Sequence, residues 1–282
     1  MGPDNFKFVC DFLYKKSGLV LGEEKAYLLE NRLMPIVRKY ELDGVEMLVA
    51  KLRSNAIPGV ADEIIEVMTT NESLFFRDTK PFEQLRTVSL PYFLKARAST
   101  RKLRIWSAAA STGQEPYSIA MTLGEEKEKF GDWNIEIFGT DLSKAALERA
   151  KSGIYTQFEV QRGMPIQMLL KYFTKLESKW QVNQDIRDKA RFAEFNLLED
   201  PSKFGTFDVI FCRNVLVYFD RETKAQVLNR LAKSLAPDGV LFLGAAETIL
   251  GLDTVFEPIS GLRGAYGLPQ ANKNGMADTA IG

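Results

Sequence analysis

The chain has 282 residues, long for one ordinary domain, so two compact units or one unit with an appendage are expected. It is 45% hydrophobic and 26% charged, with 37 basic against 37 acidic residues, a globular composition with no bulk attraction for nucleic acid. The absence of histidine excludes serine–histidine and cysteine–histidine nucleophile pairs, most zinc hydrolases and imidazole acid–base chemistry. Cys10 and Cys212, the only cysteines, are too few and too far apart for a disulfide framework or a zinc site, so no metal is expected. The start, MGPDNFKF, has no basic-then-apolar signal pattern, and no apolar run approaches membrane-spanning length. A cytoplasmic location without membrane insertion is expected.

Residues 1–75 read as helical. Ala26, Leu29, Leu33, Ile36, Val37 and Tyr40 recur at three- and four-residue spacing, as do Ala61, Ile64, Ile65 and Met68. Gly44 and Ile57-Pro58-Gly59 punctuate these helices. A helical segment from Phe82 to Lys95 runs into KARASTRK, a polar and basic stretch that reads as a solvated linker in preference to a binding patch, so residues 76–102 form a connecting helix and linker. From Leu103 to about residue 269 the pattern changes. The segments LRIWSA, IEIFGTD, RFAEFN, FDVIFCRN and GVLFLGAAE read as strands, with PDG (Pro237 to Gly239) as a tight turn feeding the last. Amphipathic helical segments follow several of them, which predicts an α/β fold with a mostly parallel sheet covered on both faces. Residues 270–282 have little to bury and read as a disordered tail.

Ligands of such sheets sit at the carboxyl ends of the strands, and four strand ends here carry suitable residues. The first opens into SAAASTGQE, Ser107 to Glu115, whose small residues let backbone approach a ligand or simply make a packing turn. It lacks the Gly-x-Gly-x-x-Gly spacing of a pyrophosphate-binding loop. The second ends in Asp141, an acceptor for both ribose hydroxyls of a nucleoside or an N-cap for the following helix. The third runs into Asn196 and Leu197, which suit an adenine edge and face or a turn and a core position. The fourth ends in CRNVLVYF, where Arg213 and Asn214 directly after FDVIF are expensive to place without partners. Before the sheet, TTNESLFFRD sets Arg77 behind Phe75 and Phe76, placed to hold a carboxylate or to pair with Asp78 or another acid.

Together NRL (Asn31 to Leu33), TTNESLFFRD, WSAAASTGQEPYSIA, the aspartate of GTDLS, SGIY (Ser152 to Tyr155), FNLL, FDVIFCRNVLVYFD and PDGVLFLGAAE resemble the chemotaxis protein methyltransferases, the CheR family. The resemblance implies an all-helical N-terminal domain joined to a Rossmann-like methyltransferase domain with a small β-subdomain at about 153–195. It implies S-adenosylmethionine as cofactor, held by Asn71, Ser73, Arg77, Glu115, Asp141, Asn196, Leu197, Arg213 and Asn214. Arg77 and Tyr218 match the residues flanking the transferred methyl group and the incoming glutamate. Ser73 stands where threonine is often found and keeps the hydroxyl, whereas Gln114 replaces a common glutamate.

The implied reaction makes glutamyl methyl esters on chemoreceptors, which suits a chain without histidine, because an ionised glutamate is a nucleophile needing no general base. In this family the N-terminal domain resembles a docking surface for receptor methylation helices. Arg32, Arg38 and Lys39 lie off the apolar stripe and suit acidic helices, or form an ordinary solvated face, and Pro35 interrupts a position often basic in relatives. Relatives that tether to a receptor's C-terminal pentapeptide carry a glycine-containing insertion in the small lobe. The stretch from Lys171 to Phe195 has no glycine, so no pentapeptide tether is expected. Two alternatives share the fold. A small-molecule methyltransferase does not explain the helical domain, and joint retention of Arg77, Asp141, Asn214 and Tyr218 argues against a cofactor-sensing adaptor.

Overall fold

The computed structural model describes residues 1–271 and 276. They fall into two units, Met1–Thr70 with Tyr218–Thr223, and Asn71–Val217 with the chain from Lys224 onward. The boundary thus lies nearer the N-terminus than the expected residue 75.

The first unit is built on α1 (Pro3–Ser17), α2 (Ala26–Lys39), α3 (Val45–Arg53) and α4 (Val60–Met68). Leu29, Leu33, Ile36 and Val37 of the α2 stripe are buried with Val9 and Leu13 of α1, Leu48 and Val49 of α3, and Ile64 and Met68 of α4. Glycines set helix limits: Gly18, at φ 74°, closes α1 by donating to the Tyr14 carbonyl at 2.8 Å. Two of the three basic residues expected to face a partner are engaged inside this unit. Arg32 caps α4, with Nη1 donating to the carbonyls of Met68 at 2.7 Å and Thr69 at 3.3 Å and Nη2 to Thr70 Oγ1 at 3.1 Å. Lys39 pairs with Glu63 at 2.8 Å, and Tyr40 donates to the same oxygen at 2.6 Å. Together they hold the Glu63 carboxyl below the usual range. Arg38 is exposed and has no carboxylate partner among the described residues.

The second unit opens with a helix from Lys80 to Ala96 that is π-helical over Leu85–Ser89, where Leu90 N–H reaches back to the Leu85 carbonyl. Pro91, just beyond, has no N–H to offer the preceding turn and crowds its carbonyl, which accounts for the widened turn. The main sheet comprises β1 (Lys102–Ser107), β2 (Asn134–Asp141), β6 (Ala190–Glu194), β7 (Phe207–Cys212), β8 (Leu235–Leu243), β9 (Glu257–Pro258) and β10 (Ala265–Gly267). Its order is β6-β2-β1-β7-β8-β10-β9; the first five strands are parallel and the last two antiparallel. Strands β3 (Ile154–Thr156), β4 (Phe173–Leu176) and β5 (Lys179–Val182) form a separate antiparallel sheet, the small lobe. Helices Gln114–Glu125 and Lys144–Ser152 are two of the β-to-β crossovers.

Four expectations are corrected here. β6 belongs to the main sheet, paired with β2, so the lobe stops short of 195. PDG does not feed a strand but lies within one: β8 begins at Leu235, and its register with β7 jumps from Phe207↔Leu235 to Val209↔Val240, a bulge holding Pro237 to Gly239. The KARASTRK stretch is not merely solvated. Arg97 forks onto Asp238 at 2.8 and 2.6 Å and donates to Asp208 at 2.9 Å, tying the linker to β7 and the bulge. Most of the expected tail lies outside the described residues, yet Ala271 and Met276 are fully buried, Met276 in the main core.

Candidate active site

From β1 the chain builds outward to β2 and β6, then crosses to β7 and β8 on the other side. The carboxyl ends of β1 and β7 therefore lie at the switch in strand order, where open α/β sheets bind ligands. The turn after β1 is fastened to both neighbours: Ala108 N–H donates to the Phe211 carbonyl and Ala110 N–H to the Thr140 carbonyl, each at 2.8 Å. At Gly113, φ is 94° and a Cβ would meet Ala150 Cβ at 2.9 Å and the Tyr155 hydroxyl at 3.0 Å, so only glycine fits. Tyr155, from SGIY, donates to the Thr112 carbonyl at 2.7 Å, and burial pushes its phenol far up, so it stays a neutral donor pinning the turn. Burial likewise raises the Cys212 thiol well above its ordinary range, which removes it as a nucleophile.

Asp141 joins two turns. Its Oδ2 accepts from Ser111 N–H at 2.7 Å and its Oδ1 from Ser143 N–H at 2.9 Å. The N-cap of the next helix is Ser143, not Asp141: Ser143 Oγ accepts from Ala146 N–H at 3.0 Å. Asn71 bridges the same region, donating from Nδ2 to Ser143 Oγ at 3.1 Å and accepting at its carbonyl from Ser111 Oγ at 2.8 Å. Phe195 N–H donates to the Asp141 carbonyl at 3.0 Å, which brings Asn196 and Leu197 alongside. Asn196 makes the turn its type suits, accepting at Oδ1 from Leu198 N–H at 3.0 Å, and Leu197 is buried.

A second network runs through Arg213, whose side chain is 1% exposed. Nη1 donates to Glu115 Oε2 at 2.8 Å; Nη2 donates to the Arg77 carbonyl at 2.7 Å and to Asp78 Oδ2 at 2.8 Å. The other Glu115 oxygen accepts from Ser107 Oγ at 2.7 Å, and the guanidinium lies 5.6 Å from the centre of the Phe82 ring. The family resemblance implies that Glu115 and Arg213 hold the cofactor; in the structure these side chains bind each other and clamp the segment that carries Arg77. That segment needs the clamp, since Phe76, Asp78 and Thr79 all have positive φ, at 50°, 65° and 39°. Asp78 is not the partner of Arg77. The Arg77 guanidinium donates to the Glu72 carbonyl at 3.3 Å and has no carboxylate partner among the described residues.

Asn214 also adopts positive φ, 58°, and its N–H donates to Glu247 Oε2 at 2.8 Å. Glu247 appeared in the sequence only as the end of GAAE, without a role. A cavity of about 480 Å³ beside it is lined in part by Asp78, Lys80, Gly244, Glu247 and Arg263. Ser73 is half-buried between exposed Glu72 and half-buried Leu74. Tyr218 belongs to the first unit, where its carbonyl accepts from Val20 N–H at 3.0 Å. Among the described residues no group of three histidine, cysteine, aspartate or glutamate side chains is disposed to hold a metal.

Comparison with known proteins agrees with this division. A family model described as the SAM binding domain of CheR methyltransferases matches residues 71–264, and one described as their all-alpha domain matches residues 4–69. A chemotaxis protein methyltransferase of Pseudomonas putida is 39% identical over 252 residues, 88% of this chain and 91% of the relative. One of Pseudomonas aeruginosa is 40% identical over 259 residues, covering 90% and 94%. One of Escherichia coli is 36% identical over 258 residues, covering 89% and 87%. With both of its domains matched in order by family models, and with relatives of this identity along most of its length, the chain belongs to the CheR methyltransferase family and is an S-adenosylmethionine-dependent enzyme.

Proposed function

We propose that this chain transfers the methyl group of S-adenosylmethionine to glutamate side chains of chemoreceptors, forming glutamyl methyl esters in chemotaxis adaptation. The observation that carries this reading is the state of Arg77. Its neighbour Asp78 is taken by Arg213, its main chain is clamped, and among the described residues its guanidinium meets only one carbonyl, so a planar cation is held ready for an incoming carboxylate.

The donor set fits the cofactor, which has a nucleoside end and no phosphate. Asp141 at the end of β2 accepts from the ribose hydroxyls, its oxygens each able to take more than one hydrogen bond. Asn196 and Leu197 offer an amide and an apolar face to adenine, and Asn71, Ser73 and Asn214 add polar contacts. When bound, the cofactor supplies a methyl group activated by a cationic sulfonium. The chain's own work is then alignment and exclusion of water, because an attacking carboxylate needs no base and charge is neutralised on the way to the transition state. Arg77 orients the carboxylate without tying it tightly, since a strong ion pair would blunt the nucleophile. Tyr218, which the family resemblance assigns to the acceptor, is tested by Tyr218→Phe.

The test is incubation with methyl-labelled cofactor and receptor cytoplasmic fragments. Base-labile label on the receptor is expected; label that resists base, or none on the receptor, would refute ester formation. Asp141→Ala is expected to weaken binding of both cofactor and demethylated product by about 1.5–3 kcal/mol, the worth of a charge-assisted hydrogen bond. Calorimetry returning wild-type affinity would remove Asp141 from the ribose role.

Receptor helices dock on the first unit, and of Arg32, Arg38 and Lys39 it is Arg38 whose side chain has no hydrogen-bonding or carboxylate partner among the described residues. Arg38→Glu should lower methylation and its sensitivity to salt while cofactor affinity stays constant. Arg32→Glu is a poorer probe, because it also strips the cap of α4. In the small lobe β4 and β5 are joined through Glu177 and Ser178 alone, which supports the absence of an open tethering loop. No calorimetric binding of a receptor C-terminal pentapeptide is expected; heat of binding at micromolar peptide would overturn this.

A further inference from the structure

We propose that Glu247 is a positioning residue for cofactor binding, acting through Asn214. The inference rests on the reading of Asn214 as a cofactor residue and adds what holds it in place. β7 and β8 are parallel neighbours whose last paired residues are Cys212 and Leu243. Just past the ladder, Asn214 N–H and Gly244 N–H both donate to one atom, Glu247 Oε2, at 2.8 and 2.7 Å. Glu247 is only 8% exposed, and its own N–H returns to the Gly244 carbonyl at 2.9 Å, closing a tight reciprocal turn. Two strand ends are thus fastened by a single carboxylate oxygen, and backbone donors that would otherwise lack partners inside the protein are satisfied.

What is fastened is a residue in a strained conformation. Asn214 has φ 58°, in the left-handed region that costs a residue with a side chain, asparagine less than most, and its surroundings hold it there. Glu247 imposes it on the main chain. Gly244 imposes it on the side chain: a Cβ there would come within 2.9 Å of both Asn214 N and Nδ2, and within 2.7 Å of Glu247 Oε2. The absence of a side chain at 244 therefore leaves the space in which the Asn214 amide lies. Glu247 has no cationic partner among the described residues, and its Oε1 is buried without a hydrogen bond. The carboxylate is consequently committed to backbone donors, not to an ion pair that would give it a separate structural task.

A purely structural staple would change melting temperature and leave ligand affinity alone, so affinity is the deciding readout. In the full-length protein, calorimetry with S-adenosylmethionine and S-adenosylhomocysteine is run on Glu247→Ala, Glu247→Gln, Asn214→Ala and the Glu247→Ala/Asn214→Ala pair. Glu247→Ala is expected to weaken both ligands about tenfold, the loss of charge-assisted bonds at a binding residue, and Glu247→Gln, which keeps an acceptor oxygen, by no more than about threefold. In the double variant the Glu247 change should cost almost nothing further, because its route to the ligand is already gone. Full additivity, or wild-type affinity in Glu247→Ala while Asn214→Ala binds weakly, would overturn the inference and leave the methyltransferase reading intact. Wild-type affinity in Asn214→Ala would remove the assignment of Asn214 and the inference with it. Should Glu247→Ala not fold, Gly244→Ala decides: its Cβ presses on Glu247 Oε2 and on the Asn214 amide together, so it is expected to weaken both ligands, and unchanged affinity there would count against the inference.

Discussion

Replacing Arg213 with alanine is expected to destabilise the second unit by about 3–5 kcal/mol, the usual result of removing one partner from a buried ion pair. Glu115 would keep Ser107 but lose its cation, and the Arg77 carbonyl and Asp78 would lose the donor that gathers them. Denaturant unfolding followed by tryptophan emission measures this, since Trp106, Trp133 and Trp180 all lie in that unit. Arg213→Lys should recover little: one ammonium cannot serve Glu115, Asp78 and a carbonyl with the geometry of the guanidinium fork. A loss below about 1 kcal/mol in Arg213→Ala, the range of exposed surface pairs, would mean the network is not the clamp described.

The other large effect is on turnover. Arg77→Ala is expected to lower kcat by about a hundredfold, the scale on which misplacing a reacting group is felt. Stability should change little, because the Arg77 side chain makes one 3.3 Å hydrogen bond and the clamp acts on its main chain. Arg77→Lys should resemble Arg77→Ala in kcat, again for want of the planar fork. Steady-state kinetics on a receptor fragment, with cofactor affinity measured alongside, separates positioning from binding. Near-wild-type kcat in Arg77→Lys would show that a point charge suffices and would end the orientation argument.

The sequence by itself determined the architecture, because the features that specify it are local and repeated. The α2 stripe Leu29, Leu33, Ile36 and Val37 is buried as its spacing required, and FDVIFC is buried along its whole length as a central parallel strand must be. Arg213 and Asn214 stood out for an equally local reason: they follow an apolar strand, where burying an unsatisfied polar group is costly, while Asp141 and Asn196 stood out by their places at strand ends.

What only the tertiary structure decided was the choice of partners, since a partner can lie anywhere in the chain. Arg213 finds Glu115 98 residues away and Asp78 135 residues away, which ties two expected ligand-binding side chains to each other and to the segment that carries Arg77. Arg32 was read as a docking cation because it lies off the stripe, but the open carbonyls at the end of α4 lie 36 residues on and claim it. PDG carries the composition of a turn, yet Arg97 and Tyr92 hold Asp238 inside a bulge of β8, so long-range hydrogen bonds override the local preference. Spacing and burial pattern act over a few residues and are written in order along the chain, whereas side-chain pairing depends on which ends the folded sheet brings together.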